Sequence, residues 1–212
     1  MLTHHRRDPF ERPLWFMRHG ATQPNLDGLR CGGDLDVPLT PIGREQVLLA
    51  AQNLASQDIG LHLVVCSPLK RTVESAAIVA RVLGGLPVEI DEGFRERLLG
   101  HWNMEPVEAT EGPMRAGVTP PGGEAAEPFE QRVLAALRRT AARFHGKRML
   151  ILGSKGVARV LRETLPESTP AHADAFARNA ELMVFDLAAL RAPAAAGAAA
   201  KADTSTLDTV TP

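Results

Sequence analysis

Short apolar runs separated by longer stretches of helical periodicity dictate what this chain can become. Leu14-Trp15-Phe16-Met17, Leu63-Val64-Val65-Cys66, Val88-Glu89-Ile90, Met149-Leu150-Ile151-Leu152 and the stretch from Leu182 to Asp186 each have the length of a strand. Between them, Val47, Ala50, Ala51 and Leu54, and then Val73, Ala76, Ala77, Ala80 and Leu83, recur at helical spacing. A longer helix is predicted from Glu124 to His145, with Phe129, Val133, Ala136, Leu137, Thr140 and Phe144 on one face, and another from Val157 to Leu165. Strands alternating with helices call for parallel pairing, and the unbroken apolar run from Met149 to Leu152 fits a central strand covered on both sides. The expected fold class is α/β: a three-layer α/β/α sandwich with a mainly parallel central sheet, whose ligand site lies at the carboxyl ends of the strands.

Local signals set the boundaries. Thr40 is a predicted N-cap with Pro41 at the first helical position, where a missing N–H costs nothing, and Ser67-Pro68 repeats that arrangement before the next helix. Gly84-Gly85 stops the second helix. The segment from 103 to 122 is rich in Gly and Pro with little periodicity and reads as a loop or lid. Residues 1–12 form a polar arm, 13–191 one domain, and 192–212 an Ala-rich tail expected to be disordered because it offers no core-forming pattern.

Composition excludes several partners. With 24 basic and 25 acidic residues the formal net charge is -1, which provides no global field for nucleic acid or a membrane surface. Arg132, Arg138, Arg139 and Arg143 fall mostly off the apolar face of their helix, and no aromatic residues interleave with them, so they read as a solvated face. No apolar run approaches the length of a membrane span, and the charged start lacks the apolar stretch of a secretory signal. Cys31 and Cys66 lack metal-ligand spacing and are expected as free thiols in a reducing compartment, which implies a cytoplasmic location. The oligomeric state is left open.

The chemistry begins where the first strand ends, at Arg18-His19-Gly20. A histidine beside an arginine at such a point is placed to attack an anion, and the glycine lets the backbone turn sharply. Thr22 and Asn25 follow, then Asp36-Val37-Pro38-Leu39-Thr40-Pro41 with Gly43 and Gln46, then Cys66-Ser67-Pro68-Leu69-Lys70-Arg71. Further on come Arg95-Glu96-Arg97 with Gly100 and Trp102, and Pro121-Gly122-Gly123-Glu124. In this order, across residues 13 to 187, the chain resembles the histidine phosphatase superfamily, the phosphoglycerate mutase-like proteins.

The resemblance implies a phosphoglycerate mutase-like fold and a phosphomonoester hydrolase that needs no metal and no cofactor. His19 takes the place of the nucleophile that becomes a phosphohistidine, and Glu96 that of the proton donor. Arg18 and Arg71 can clamp the phosphoryl group with forked donors, while Thr22 and Asn25 can add neutral hydrogen bonds. Asn25 reads equally as a turn residue, and Glu96, flanked by two arginines, also reads as an exposed ion-pair member. His101 occupies a variable slot and Trp102 a packing position. The partner implied is a small phosphorylated substrate or a phosphate-like anion.

One position departs from the pattern. Where the family's strand ends in Ser-His-Gly, this chain has Ser154-Lys155-Gly156, so the second family histidine is replaced by Lys155. Lysine is also a cation and binds phosphate as a point charge, yet it is longer, flexible and without a planar ring. Binding is expected to survive this change while catalysis is reduced or altered. The alternatives are a non-catalytic phospholigand-binding or regulatory protein on the same fold, and a phosphoglycerate mutase. The segment between Glu96 and Lys155 is shorter than a mutase insertion that would enclose the substrate, which favours an open phosphatase-like site. Arg18, His19, Arg71, Glu96 and Lys155 are expected around one cleft at the carboxyl end of the sheet.

Overall fold

A computed structural model of the chain describes residues 10, 12–168 and 178–191. The expected arm, Phe10 and Arg12 apart, and the expected tail lie outside the described residues. Five strands form one sheet: β1 (Pro13–Arg18), β2 (Leu63–Cys66), β3 (Val88–Ile90), β4 (Met149–Gly153) and β5 (Leu182–Asp186). Their order is β3-β2-β4-β1-β5, with β4 at the centre. Every pairing is parallel except the last, in which β5 runs antiparallel along β1 with Trp15 opposite Val184.

Alternation along β1 divides the core into two layers. Leu14 and Phe16 point into a cluster with Phe129, Val133 and Leu137 of α5 (Ala126–Arg143) and with Val157 and Leu161 of α6 (Lys155–Thr164). Trp15 and Met17 point the other way, onto Val47, Ala51 and Leu54 of α2 (Pro41–Ser56) and Ala76 and Val79 of α3 (Lys70–Val82). β4 is buried along its whole length, as its unbroken apolar sequence requires. β1 and β4 are neighbours whose following helices cover opposite faces, so a crevice opens between their carboxyl ends.

Two short helices complete the description: α1 (Gln23–Leu26) and α4 (Val107–Arg115). α4 lies inside the segment expected to be a loop. Its Pro113 sits inside the helix and hides the helical pattern, while Thr110 is buried and anchors it. The expected cap at Thr40 is present, its hydroxyl accepting the Gly43 N–H at 3.0 Å. Ser67-Pro68 is not a cap: α3 starts at Lys70, whose N–H donates to Asp36 Oδ1 at 2.7 Å, and the Ser67 hydroxyl pairs with that of Thr72. Gly84 and Gly85, at φ of 85° and 82°, follow the end of α3 in the left-handed conformation expected of a helix stop. On α5, Ala141 rather than Phe144 completes the buried face. Arg132, Arg139 and Arg143 pair with Glu124, Asp91 and Glu89. Cys66 is buried, which pushes its thiol up to about 12, and Cys31 is half-buried; both are free. Among the described residues no helix is long and apolar enough to cross a membrane.

Candidate active site

The turn after β1 is pinned from several directions. The His19 N–H donates to the Gly153 carbonyl at 2.9 Å, tying the end of β1 to the end of β4. The His19 carbonyl accepts from Asn179 Nδ2 at 3.0 Å and from the Ala180 N–H at 3.3 Å, just before β5. Gly20 has no left-handed φ; a side chain there would run into the carbonyl of Gly43. Its role is close approach: α2 packs its first turn against this loop, where Ala21 donates to Gln46 Oε1 at 3.0 Å and accepts from the Thr40 N–H at 2.9 Å.

His19 is buried, and its Nδ1 lies 2.7 Å from the Gly20 carbonyl. A carbonyl can only accept, so Nδ1 carries the proton and Nε2 keeps a lone pair when the ring is neutral. Burial, followed by the charges of Arg71 and Arg18, holds the imidazole well below its usual pKa range. Both causes favour the neutral ring. Arg18 itself is lowered to about 10, chiefly by burial, with Glu96 opposing and Arg71 adding to the shift.

Arg18, His19, Asn25, Glu96 and Lys155 line one cavity of about 280 Å3 at the carboxyl ends of β1 and β4. Arg71 does not line it. Its guanidinium is 1 % exposed and donates to the carbonyls of Leu35 and Gly32 at 2.8 and 3.1 Å, so its charge acts on His19 from beneath the cavity wall. Thr22 is also buried behind the wall, with a hydroxyl that has no hydrogen-bond partner among the described residues. Asn25 is both a turn residue and a cavity residue: its Oδ1 accepts the Thr22 N–H and Asn179 Nδ2, each at 3.3 Å.

Glu96 is 9 % exposed and is not a surface ion-pair member. Its two oxygens accept the N–H groups of Arg97 at 2.7 Å and Gly156 at 2.8 Å, while the Arg95 guanidinium goes to Glu92 and the Gly33 carbonyl. A side chain on Gly156 would meet the Glu96 carboxylate, which would have to move. Lys155, the first residue of α6, is half-buried; burial and then Arg18 lower its pKa, against the pull of Glu111 and Glu96. His101 is exposed and does not line the cavity.

The sequence reading gave no site role to Arg30, Glu111, Arg97 or Arg159, all of which line the cavity. Arg30 binds α4 from below, donating to Thr110 Oγ1 and Glu111 Oε2 at 2.7 Å each. Arg159 lies four positions after Lys155 along α6, and that spacing puts both on one helix face. Among the described residues no cluster of three or more His, Cys, Asp or Glu side chains could hold a metal ion.

Known proteins share this architecture. The chain is 33% identical over 161 residues to the adenosylcobalamin/alpha-ribazole phosphatase of Escherichia coli, covering 70% of this chain and 76% of that protein. It is 32% identical over 158 residues to phosphoglycerate mutase-like protein 4 of Arabidopsis thaliana, covering 69% and 68% of the two chains. A crystal structure of a putative alpha-ribazole-5'-P phosphatase from Escherichia coli superposes with a TM-score of 0.60 at 31% identity, over 76% of this chain and 82% of that one. The mycobacterial glucosyl-3-phosphoglycerate phosphatase in complex with VO3 superposes at 0.62 and 27% identity, over 71% and 80%. The profile of the Histidine phosphatase superfamily (branch 1) matches residues 14–192, and the chain belongs to that family.

Proposed function

We propose that this protein hydrolyses small phosphomonoesters through a phosphohistidine at His19. The observation that carries the reading is the state of that ring: neutral, with Nδ1–H given to Gly20 and Nε2 left as the nucleophile in a cation-lined cavity. The phosphatase relatives, one of them solved with VO3, support the same chemistry. Nε2 attacks phosphorus as the ester P–O bond breaks, and Glu96 gives a proton to the leaving alkoxide. Water then attacks phosphorus, returns a proton to Glu96, and the P–N bond breaks to release phosphate and neutral His19. In the intermediate the ring is cationic, and its hydrogen bond to the Gly20 carbonyl becomes charge-assisted. Arg18 and Lys155 offset the charge on the phosphoryl oxygens, Arg71 adds a buried positive field, and Thr22 and Asn25 orient the loop that carries the nucleophile.

A second reading, a phospholigand-binding protein without turnover, rests on Lys155, a flexible point charge at the start of α6. A phosphate-release screen over many phosphoesters, with His19→Ala as the blank, separates the two. Turnover that vanishes in His19→Ala supports hydrolysis. A melting temperature that rises with phosphate or vanadate, in the absence of any turnover, supports binding alone.

A further inference from the structure

We propose that Glu111 of α4 is the positioning residue for Lys155: its carboxylate, fixed by two arginines, holds the lysine ammonium in the cavity and directs it at the phosphoryl group. The inference rests on the hydrolase reading above for the place of that group. Both residues line the cavity, Lys155 from the first turn of α6 and Glu111 from α4. The Glu111 carboxylate is held at both oxygens: Oε2 accepts from Arg30 Nη2 at 2.7 Å and Oε1 from Arg115 Nε at 3.0 Å. Arg30 is itself buried and braced by Thr110 Oγ1 at 2.7 Å, so the carboxylate sits on a fixed base. Against burial, which opposes it, the hydrogen bonds from Arg30 and Arg115 and the charges of Arg30 and Lys155 hold the Glu111 carboxyl below its usual range.

A lysine needs such a partner at this position more than a ring would. Its four-carbon stem is flexible, and it stands at the positive end of α6, where a cation is disfavoured. Burial, then Arg18 of β1 and Arg30, also act against its charge, and Arg159 shares its helix face. Among the described residues two carboxylates oppose them, Glu111 and Glu96, and Glu111 acts the more strongly. Both Glu96 oxygens already accept backbone N–H groups, and the proposed proton transfer to the leaving group uses those same atoms. Glu111 has no such task. With Arg30 and Arg115 it makes a triad of two positive charges and one negative, so it can hold Lys155 and leave the cavity attractive to an anion.

The test reads Lys155 directly by NMR and then through turnover. The chain has four lysines, Lys70, Lys147, Lys155 and Lys201, so isotopic labelling of lysine Cε gives a simple spectrum in which the signal lost in Lys155→Arg is that of Lys155. In Glu111→Gln, whose amide oxygen can still accept from Arg30, the Lys155 titration should move down by about one pH unit, because an anion that favours the ammonium is gone. With phenyl phosphate as substrate, Glu111→Gln should lower kcat by about ten-fold with little change in KM, and Glu111→Asp should recover part of the loss. In the Lys155→His background the same change should cost no more than about two-fold, since no ammonium remains to be held. A Lys155 titration that Glu111→Gln leaves in place, a kcat that it leaves unchanged, or equal losses in the two backgrounds overturns the proposal. Equal losses are what a merely structural role of Glu111 in α4 would give. A downward titration with no turnover by any form, the wild type included, refutes the hydrolase reading and upholds the pairing of Glu111 with Lys155.

Discussion

The Gly156 N–H donates to Glu96 Oε2 at 2.8 Å across 60 positions of sequence, locking the first turn of α6 onto the loop that follows β3. A β-carbon at this position would displace the carboxylate. Gly156→Ala should therefore cost about 1–3 kcal/mol of stability through overpacking and lower kcat by about 100-fold by moving Glu96. Denaturant unfolding and phosphate release measure the two effects. An unchanged kcat would mean that the position of Glu96 is not needed for turnover.

Replacing the proposed nucleophile gives the sharpest contrast. His19→Ala should lower kcat by on the order of 1,000-fold or more while the chain still folds and binds phosphate. A phosphorylated chain that is stable to alkali and labile to acid should be trapped from the wild type with its substrate, and never from the variant.

The same ring makes stability depend on pH. Its folded pKa lies below the unfolded value near 6.5, so below pH 6.5 the unfolded state binds a proton that the folded state does not. Stability is lost as pH falls through that window, by up to about 1.4 kcal/mol per pH unit from this group, and is fully present above it. Urea titrations between pH 5 and 7 should show a shallower slope for His19→Ala than for the wild type. The acid limb of kcat/KM should fall below pH 6.5, not at it.

Arg71 supports the loop and depresses the histidine at once. Arg71→Met removes two charged donors from buried carbonyls, which should destabilise the fold by about 2–5 kcal/mol. It should also move the acid limb of the pH–rate profile upward, because one of the cations that disfavour imidazolium is gone. A purely structural arginine would lower stability and leave the acid limb in place.

Lys155→His should raise kcat by about ten-fold or more with little change in KM, since a fixed ring beside the phosphoryl oxygens acts in the transition state. A fall in kcat would identify lysine as an adapted catalytic residue at this position.

The regular elements were legible because their signals are local. The four-residue apolar run of β2, the continuous burial of β4 and the Thr40-Pro41 start of α2 all follow from neighbouring residues in the sequence. α4 was missed because Pro113 and Gly112 read as breakers, whereas its anchor is Arg30, a tertiary contact 80 positions from Thr110. Ser67 failed as a cap for a similar reason: Asp36, from another loop, caps α3 instead. Within the candidate site, the ordered motif pointed to Arg18, His19, Glu96 and Lys155. The burial of Arg71 beneath the cavity and the arrival of Arg30 depend on how loops cross in space, and no spacing in the sequence encodes that. The same holds for Gly20, whose need is set by the Gly43 carbonyl and not by its own φ.

The seat of His19 closes only when Asn179 and Ala180 arrive, 160 positions later in the case of the Asn179 contact, and Arg18 donates its own N–H to the Glu181 carbonyl. During synthesis His19 emerges long before these supports. A nascent chain can lay down β1 and still lack the partners that fix the turn at His19. The proposed hydrolysis should therefore require the docking of the antiparallel edge strand onto β1. Activity regained during refolding should lag behind helix formation and coincide with the docking of that final strand.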